Sequence, residues 1–152
     1  MIPLRRFTAR AMPVNHEGKV LLLQGFEPNT PHITRWFTIG GAMEDGETLQ
    51  EAAARELHEE AGILVEPAAF APPYGTSTIR FTFGEWDITQ DQTFLAVYVG
   101  DAPVSLDRME EIEKATTIGW RWWSAEELED SDVLYHPEDL PTLIKQAVSL
   151  VG

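Results

Sequence analysis

The 152-residue chain has no cysteine. That excludes disulfides, zinc–thiolate sites and thiol nucleophiles, and it fits a reducing compartment. Its histidines, His16, His32, His58 and His136, show no metal-ligand spacing and receive no role. No apolar run is long enough to span a bilayer, and the opening MIPLRRFTAR holds no apolar stretch of signal-peptide length. A cytoplasmic protein without membrane contact is expected. Basic residues are scarce: 11 Lys and Arg stand against 25 Asp and Glu, a formal net charge of −14. Such a surface repels nucleic acid, so no duplex is expected as a partner. Ser124 and Ser131 lack a His/Asp constellation, so nothing supports serine hydrolysis. Repeats, low-complexity tracts and Ser/Gly linkers are also missing, and the length suits one domain over residues 1–152.

What the chain does have is a soluble domain's balance, 43% hydrophobic and 24% charged. Residues 4–14 read as a strand, Asn15 to Lys19 as a turn, and Val20 to Gln24 as a second, apolar strand. Phe26 to Arg35 reads as a loop, and Trp36 to Ile39 as one short strand running into Gly40-Gly41. Thr48-Leu49-Gln50-Glu51 is a capping-box pattern that opens a helix, and Gly62 suits its left-handed stop. Ile63 to Val65 begins another strand. Thr76 to Phe83 alternates, with Ile79, Phe81 and Phe83 on one face. Thr93 to Val99 is apolar enough for a central strand. Ile118 to Trp123 is a further strand, Ser124 caps a short helix, and Pro141 to Leu150 forms the closing one. Strands alternating with few helices around one sheet predict an α/β sandwich with a mixed sheet.

The acids are unevenly placed. Glu44, Asp45, Glu47, Glu51, Glu56, Glu59 and Glu60 crowd into 44–60. On a helical wheel Glu56 and Glu60 lie about 40° apart and Glu59 about 60° further round. The apolar stripe of Ala53, Ala54, Leu57 and Ala61 begins beside the Glu56/Glu60 pair, so these carboxylates face the rim of a cleft while His58 and Glu51 stay in solvent. Like charges at this spacing destabilise a helix. Arg55, four residues from both Glu51 and Glu59, offsets part of that, and magnesium would offset the rest. It takes hard oxygen ligands and is commonly held jointly by carboxylates and substrate phosphates. Gly40-Gly41 lets the main chain come close, so the Gly40 carbonyl is a candidate ligand.

The stretch GAMEDGETLQEAAARELHEEAGI, Gly41 to Ile63, resembles the complete Nudix box. Its Gly41, Glu47, Arg55-Glu56-Leu57, Glu59-Glu60 and Gly62-Ile63 all agree with the pattern. The preceding strands and the later RWWSAEEL segment are similar too, and Ile39 stands where many members have proline. The resemblance implies an α/β/α sandwich with a central mixed β-sheet. It implies hydrolysis of a small-molecule nucleoside diphosphate derivative with Mg2+, or Mn2+ in its place, and it is compatible with a homodimer, as many members are dimers. It implies Gly40, Glu56, Glu59 and Glu60 as metal ligands, with Arg55 and Glu47 orienting the carboxylates. Members differ in which carboxylate deprotonates water: a box glutamate such as Glu56 or Glu59, or an acid outside the box. The outside candidates here are Glu110, Glu111 and Glu113, in the loop before strand 118–123. Glu113 is favoured for its distance to Arg121-Trp122-Trp123, against the reading of MEEIEK as solvated charge.

Arg35, Trp36 and Tyr74 are candidates for contacting the substrate, Trp36 and Tyr74 by stacking on a base or sugar. Core packing is expected for at least two of Trp120, Trp122 and Trp123. Arg5, Arg6 and Arg10 read as a solvated basic strand face, with substrate phosphate as the rarer role. A non-catalytic nucleotide sensor is the rival function, but such domains typically lose box glutamates and this chain keeps them. A Nudix-fold isomerase would need the missing cysteine. None of the family's segments that mark NADH, ADP-ribose, dinucleoside polyphosphate or coenzyme A substrates is found.

Overall fold

Strand β1 (Ile2–Asn15) serves two partners along one edge. Its Val14 pairs with Val20 of β2 (Val20–Phe26), whereas Thr8 to Ala11 pair with Ala42 to Ile39 of β4 (Ile39–Ala42). The sheet therefore opens between β2 and β4. The structure, a computed structural model, describes residues 1–152. Along its other edge β1 runs parallel to β6 (Trp86–Gly100), and β6 pairs antiparallel with β5 (Gly75–Phe83). Beyond the opening, β2 pairs antiparallel with β3 (Thr34–Phe37) and with β7 (Thr117–Trp123). The result is one mixed seven-stranded sheet.

Alternation along β1 and β6 sends side chains into two cores, one on each face of the sheet. Ala9, Ala11, Leu95 and Val97 pack with Ala53, Leu57 and Ala61 of helix α1 (Leu49–Ala61). Met12, Val14, Phe94 and Ala96 pack with Leu140, Leu143, Ile144 and Ala147 of helix α4 (Leu140–Val151). This is the expected α/β/α sandwich. Leu57 alone, fully buried, contributes about 1.5–3 kcal/mol by leaving water.

Helix α1 starts and stops where its sequence says. Thr48 accepts from the Glu51 N–H while Glu51 accepts from the Thr48 N–H, and Gly62 closes the helix at φ 70°. Short helices α2 (Glu111–Thr116) and α3 (Ala125–Asp130) flank β7, the latter behind a second capping box at Ser124. No helix is long and apolar enough to cross a membrane.

Four expectations need correction. Trp36 to Ile39 is not one strand: the chain breaks at Thr38 because β3 belongs to β2 and β4 to β1, on opposite sides of the opening. Ile63 to Val65 alternates between inward and outward, but no ladder partner runs beside it, and it leads instead into a 3-10 turn at Pro67–Ala69. Strand β6 begins at Trp86 rather than Thr93, since its polar first half is paired on both sides. The segment before β7 is not a loop: Glu111–Thr116 forms α2, with Glu110 at its N-cap.

Candidate active site

The opening in the sheet is roofed by α1. Two glycines let the helix come down on β4. A Cβ on Gly41 would overlap the Glu56 carboxylate, and one on Gly40, whose φ is +152°, would overlap the Ala9 carbonyl. Glu56 and Glu60 are consequently buried, at 7% and 2% exposure, with the Gly40 N–H donating to Glu60 Oε1 at 3.2 Å. From the other side α2 delivers Glu113. One carboxylate oxygen each from Glu56, Glu60 and Glu113 lie within 4.8 Å of one another.

Unit charges that close repel by about 3 kcal/mol at an effective dielectric of about 20. Burial pushes the Glu60 carboxyl well above the usual range, with the negative charge of Glu113 and Glu56 adding to it and Arg10 opposing. Arg10 is itself buried. Its Nε donates to Thr38 Oγ1 at 2.9 Å and its Nη2 donates to the Thr38 carbonyl. Burial lowers its pKa, while Glu60 and Glu56 hold the cation in place.

Arg55 organises the helix side. It donates to both oxygens of Glu47, to Glu56 Oε1 at 2.8 Å and to the Ala42 carbonyl at 3.1 Å. The hydrogen bond from Arg55 holds the Glu47 carboxyl below its ordinary range, and the hydrogen bond to Glu47 raises Arg55. Glu59 is only 3.5 Å from Arg55 Nη1, and its side chain is 37% exposed at the rim. Partial burial, then the charge of Glu56, raises its pKa. Glu51, spaced for Arg55, spends its side chain on the helix cap instead.

Most of these groups line a cavity of about 500 Å³, the size of small-molecule sites. Gly40, Glu56, Glu59, Glu60, Arg55, Glu113 and Arg35 all line it, as do Ile79, Phe81 and Phe83 of β5 and Ile88, Gln90 and Gln92 of β6. Trp36 and Tyr74 do not. Strand alternation turns Trp36 to the α4 face, where its ring meets Trp123 edge-on at 5.2 Å and 74°. Tyr74 donates its hydroxyl to the Leu143 carbonyl at 2.9 Å, and burial raises its pKa. Both serve the α4-side core, which corrects their placement as stacking residues. Trp123 and Trp122 pack into the two opposite cores and Trp120 is exposed.

Three residues of the cavity correct the sequence reading, which put Arg6 and Arg10 on a solvated strand face and gave His136 no role. Arg6 and Arg10 line it, whereas Arg5 pairs outside with Asp91 at 2.9 Å. The signal was their spacing of four along a strand, which puts both on one face. His136 also lines the cavity, its pKa lowered by burial and then by Arg35; nothing in its local sequence marked it.

The carboxylates fit a hard divalent cation: acidic oxygens, mutually repelling, partly buried and oriented by arginine. The NUDIX domain profile matches residues 4–145. An RNA pyrophosphohydrolase from Cereibacter sphaeroides is 32% identical over 125 residues, covering 76% of this chain and 73% of that protein. The 8-oxo-dGDP phosphatase NUDT18 of Mus musculus is 38% identical over 79 residues, which is 51% of this chain but only 24% of that protein. Among solved structures, a MutT protein from Methanosarcina mazei Go1 superposes with a TM-score of 0.61 at 23% identity, over 97% of this chain and 95% of that one. A C. elegans Ap4A hydrolase gives 0.58 at 18%, over 95% and 96%. These structures share the fold, and with a domain profile that spans nearly the whole chain, the protein belongs to the Nudix hydrolase family.

Proposed function

We propose that the chain is a magnesium-dependent pyrophosphohydrolase that cleaves a nucleoside diphosphate linked to another moiety, such as a nucleoside triphosphate or nucleotide sugar. The observation that carries this reading is the convergence of Glu56, Glu60 and Glu113 within 4.8 Å at the cavity wall. Glu56 and Glu60 would hold the ion, with Glu59 at the rim and the Gly40 carbonyl completing the set. When bound, magnesium would offset the charge of the phosphate oxygens and lower the pKa of a coordinated water.

The chain's own groups do the rest. Arg55 fixes the Glu56 carboxylate, and Glu47 fixes Arg55. Glu113 acts as general base and takes a proton from the attacking water. The water oxygen bonds to phosphorus as the bridging P–O bond breaks, and its electron pair leaves with the departing phosphate. Arg6 and Arg35 line the same cavity and supply positive charge for the phosphates. The RNA pyrophosphohydrolase and 8-oxo-dGDP phosphatase named above make a nucleoside polyphosphate the substrate class to test first.

The test is incubation with Mg2+ and a nucleotide panel, following phosphate release with and without added pyrophosphatase and identifying products. Metal-dependent turnover of at least one nucleotide is expected. Tight nucleotide binding without turnover of any substrate would favour a sensor and overturn the proposal.

A further inference from the structure

The side-chain amide nitrogen of Gln92 is buried at the cavity and has no hydrogen-bond partner. The residue is 3% exposed and lines the cavity, yet its Nε2 donates to nothing. Neighbouring Gln90 donates from Nε2 to Gln92 Oε1 at 2.9 Å. In this arrangement the Gln92 oxygen accepts and its nitrogen is the unused end. Gln92 lies inside the sheet, paired with Thr8 on β1 and Ser77 on β5, so the flanking backbone is committed to ladders. A buried donor without a partner costs about 1–3 kcal/mol, whereas an apolar side chain of similar shape would not carry that cost.

The surroundings define what would satisfy it. Ile79, Phe81 and Ile88 line the same cavity as the glutamines, whereas its charged groups come chiefly from other elements: α1, α2 and the arginines of β1 and β3. Charge suits phosphate. An uncharged amide donor beside apolar and aromatic side chains suits a planar, apolar group with an acceptor on its edge. We propose that Gln92 determines base specificity: its Nε2 donates to a carbonyl oxygen or ring nitrogen of the substrate's nucleobase. This rests on the pyrophosphohydrolase reading of the same cavity.

The decisive variants are Gln92→Glu, which keeps the acceptor for Gln90 but replaces the donor, and Gln92→Leu, which removes both. Turnover is measured on four nucleoside triphosphates and on inorganic triphosphate, which has no base. Losing one hydrogen bond predicts a KM for the preferred nucleotide raised about tenfold with kcat changed by less than about threefold. The preference for nucleotide over inorganic triphosphate should fall by the same factor, and Gln92→Glu should reorder the bases. Unchanged base order and an unchanged nucleotide-to-triphosphate ratio would overturn the assignment. Should Gln92→Leu fail to fold, the near-isosteric Gln92→Glu decides alone. If the wild type hydrolyses no nucleotide, the pyrophosphohydrolase reading has failed. Calorimetric binding of nucleoside monophosphates then judges Gln92 separately: weaker binding in Gln92→Glu upholds it, while equal or absent binding in both proteins overturns it.

Discussion

Arg55 grips Glu47 with both arms of its guanidinium fork, Nε at 2.8 Å from Oε2 and Nη2 at 2.9 Å from Oε1, and uses Nη1 to hold Glu56 Oε1 at 2.8 Å. The loop before α1, the helix and the proposed metal ligand are thus joined through one planar cation. Lysine cannot reproduce that fork. Arg55→Lys is expected to lower kcat/KM about 10–100-fold, the usual cost of disturbing a group that orients a metal ligand, with a melting curve near that of the wild type. Steady-state kinetics alongside thermal melting checks both halves. Wild-type kinetics in this variant would show that the clasp is only structural.

Glu56→Gln and Glu60→Gln should each lose turnover by orders of magnitude while remaining folded. Glu60→Gln carries a second expectation. Burial raises the folded-state pKa of Glu60 well above the usual carboxylate range, so its ionisation costs stability as pH rises past the unfolded-state value. The amide carries no charge and can still accept from the Gly40 N–H. Metal-free Glu60→Gln should therefore melt higher than metal-free wild type at about pH 7.5, and added Mg2+ should narrow the gap by stabilising only the wild type. A lower melting temperature in the variant would contradict the repulsion argument.

Trp36 belongs to the core. Trp36→Ala removes the edge-on contact with Trp123 and opens a hole beneath α4. The expected cost is about 3–5 kcal/mol, a fall in melting temperature of roughly 10 °C for a domain of this size. KM at a temperature where the variant is folded should stay near the wild-type value. A large rise in KM with little loss of stability would return Trp36 to the substrate.

His136 gives a pH signature. Its folded pKa lies below 6.5, burial being the main cause. Between that folded value and 6.5 the unfolded chain binds more protons, so stability rises with pH there. The contribution is fully present above 6.5 and is lost as pH falls through the folded pKa. Urea midpoints taken from about pH 7.5 down to about pH 5 should fall more steeply in the wild type than in His136→Gln. Parallel profiles would mean that His136 is solvated.

The elements whose signal is local were readable in advance. Thr48, Glu51 and Gly62 mark the ends of α1 within the chain itself, and the alternation of Ile79, Phe81 and Phe83 needs only the strand period. The carboxylates of α1 were placed by the helical wheel. What escaped depends on which strands meet. Whether Trp36 faces the cleft or the α4 core follows from the sheet dividing between β2 and β4, and no local pattern encodes that division. Arg10 looked like a solvated charge because its partners, Thr38 and Glu60, are remote in sequence. The polar first half of β6 lacked an apolar signature because several of its side chains face the cavity rather than a core.

The central claim is that Glu56, Glu60 and their neighbours exist to hold a divalent ion. Anomalous diffraction from crystals soaked in Mn2+ tests this most directly. The account predicts a peak among the Glu56, Glu60 and Glu113 carboxylates, within about 2.0–2.3 Å of at least two carboxylate oxygens. A map with no peak there, with Glu56 still joined to Arg55 and Glu60 to Gly40, would contradict it.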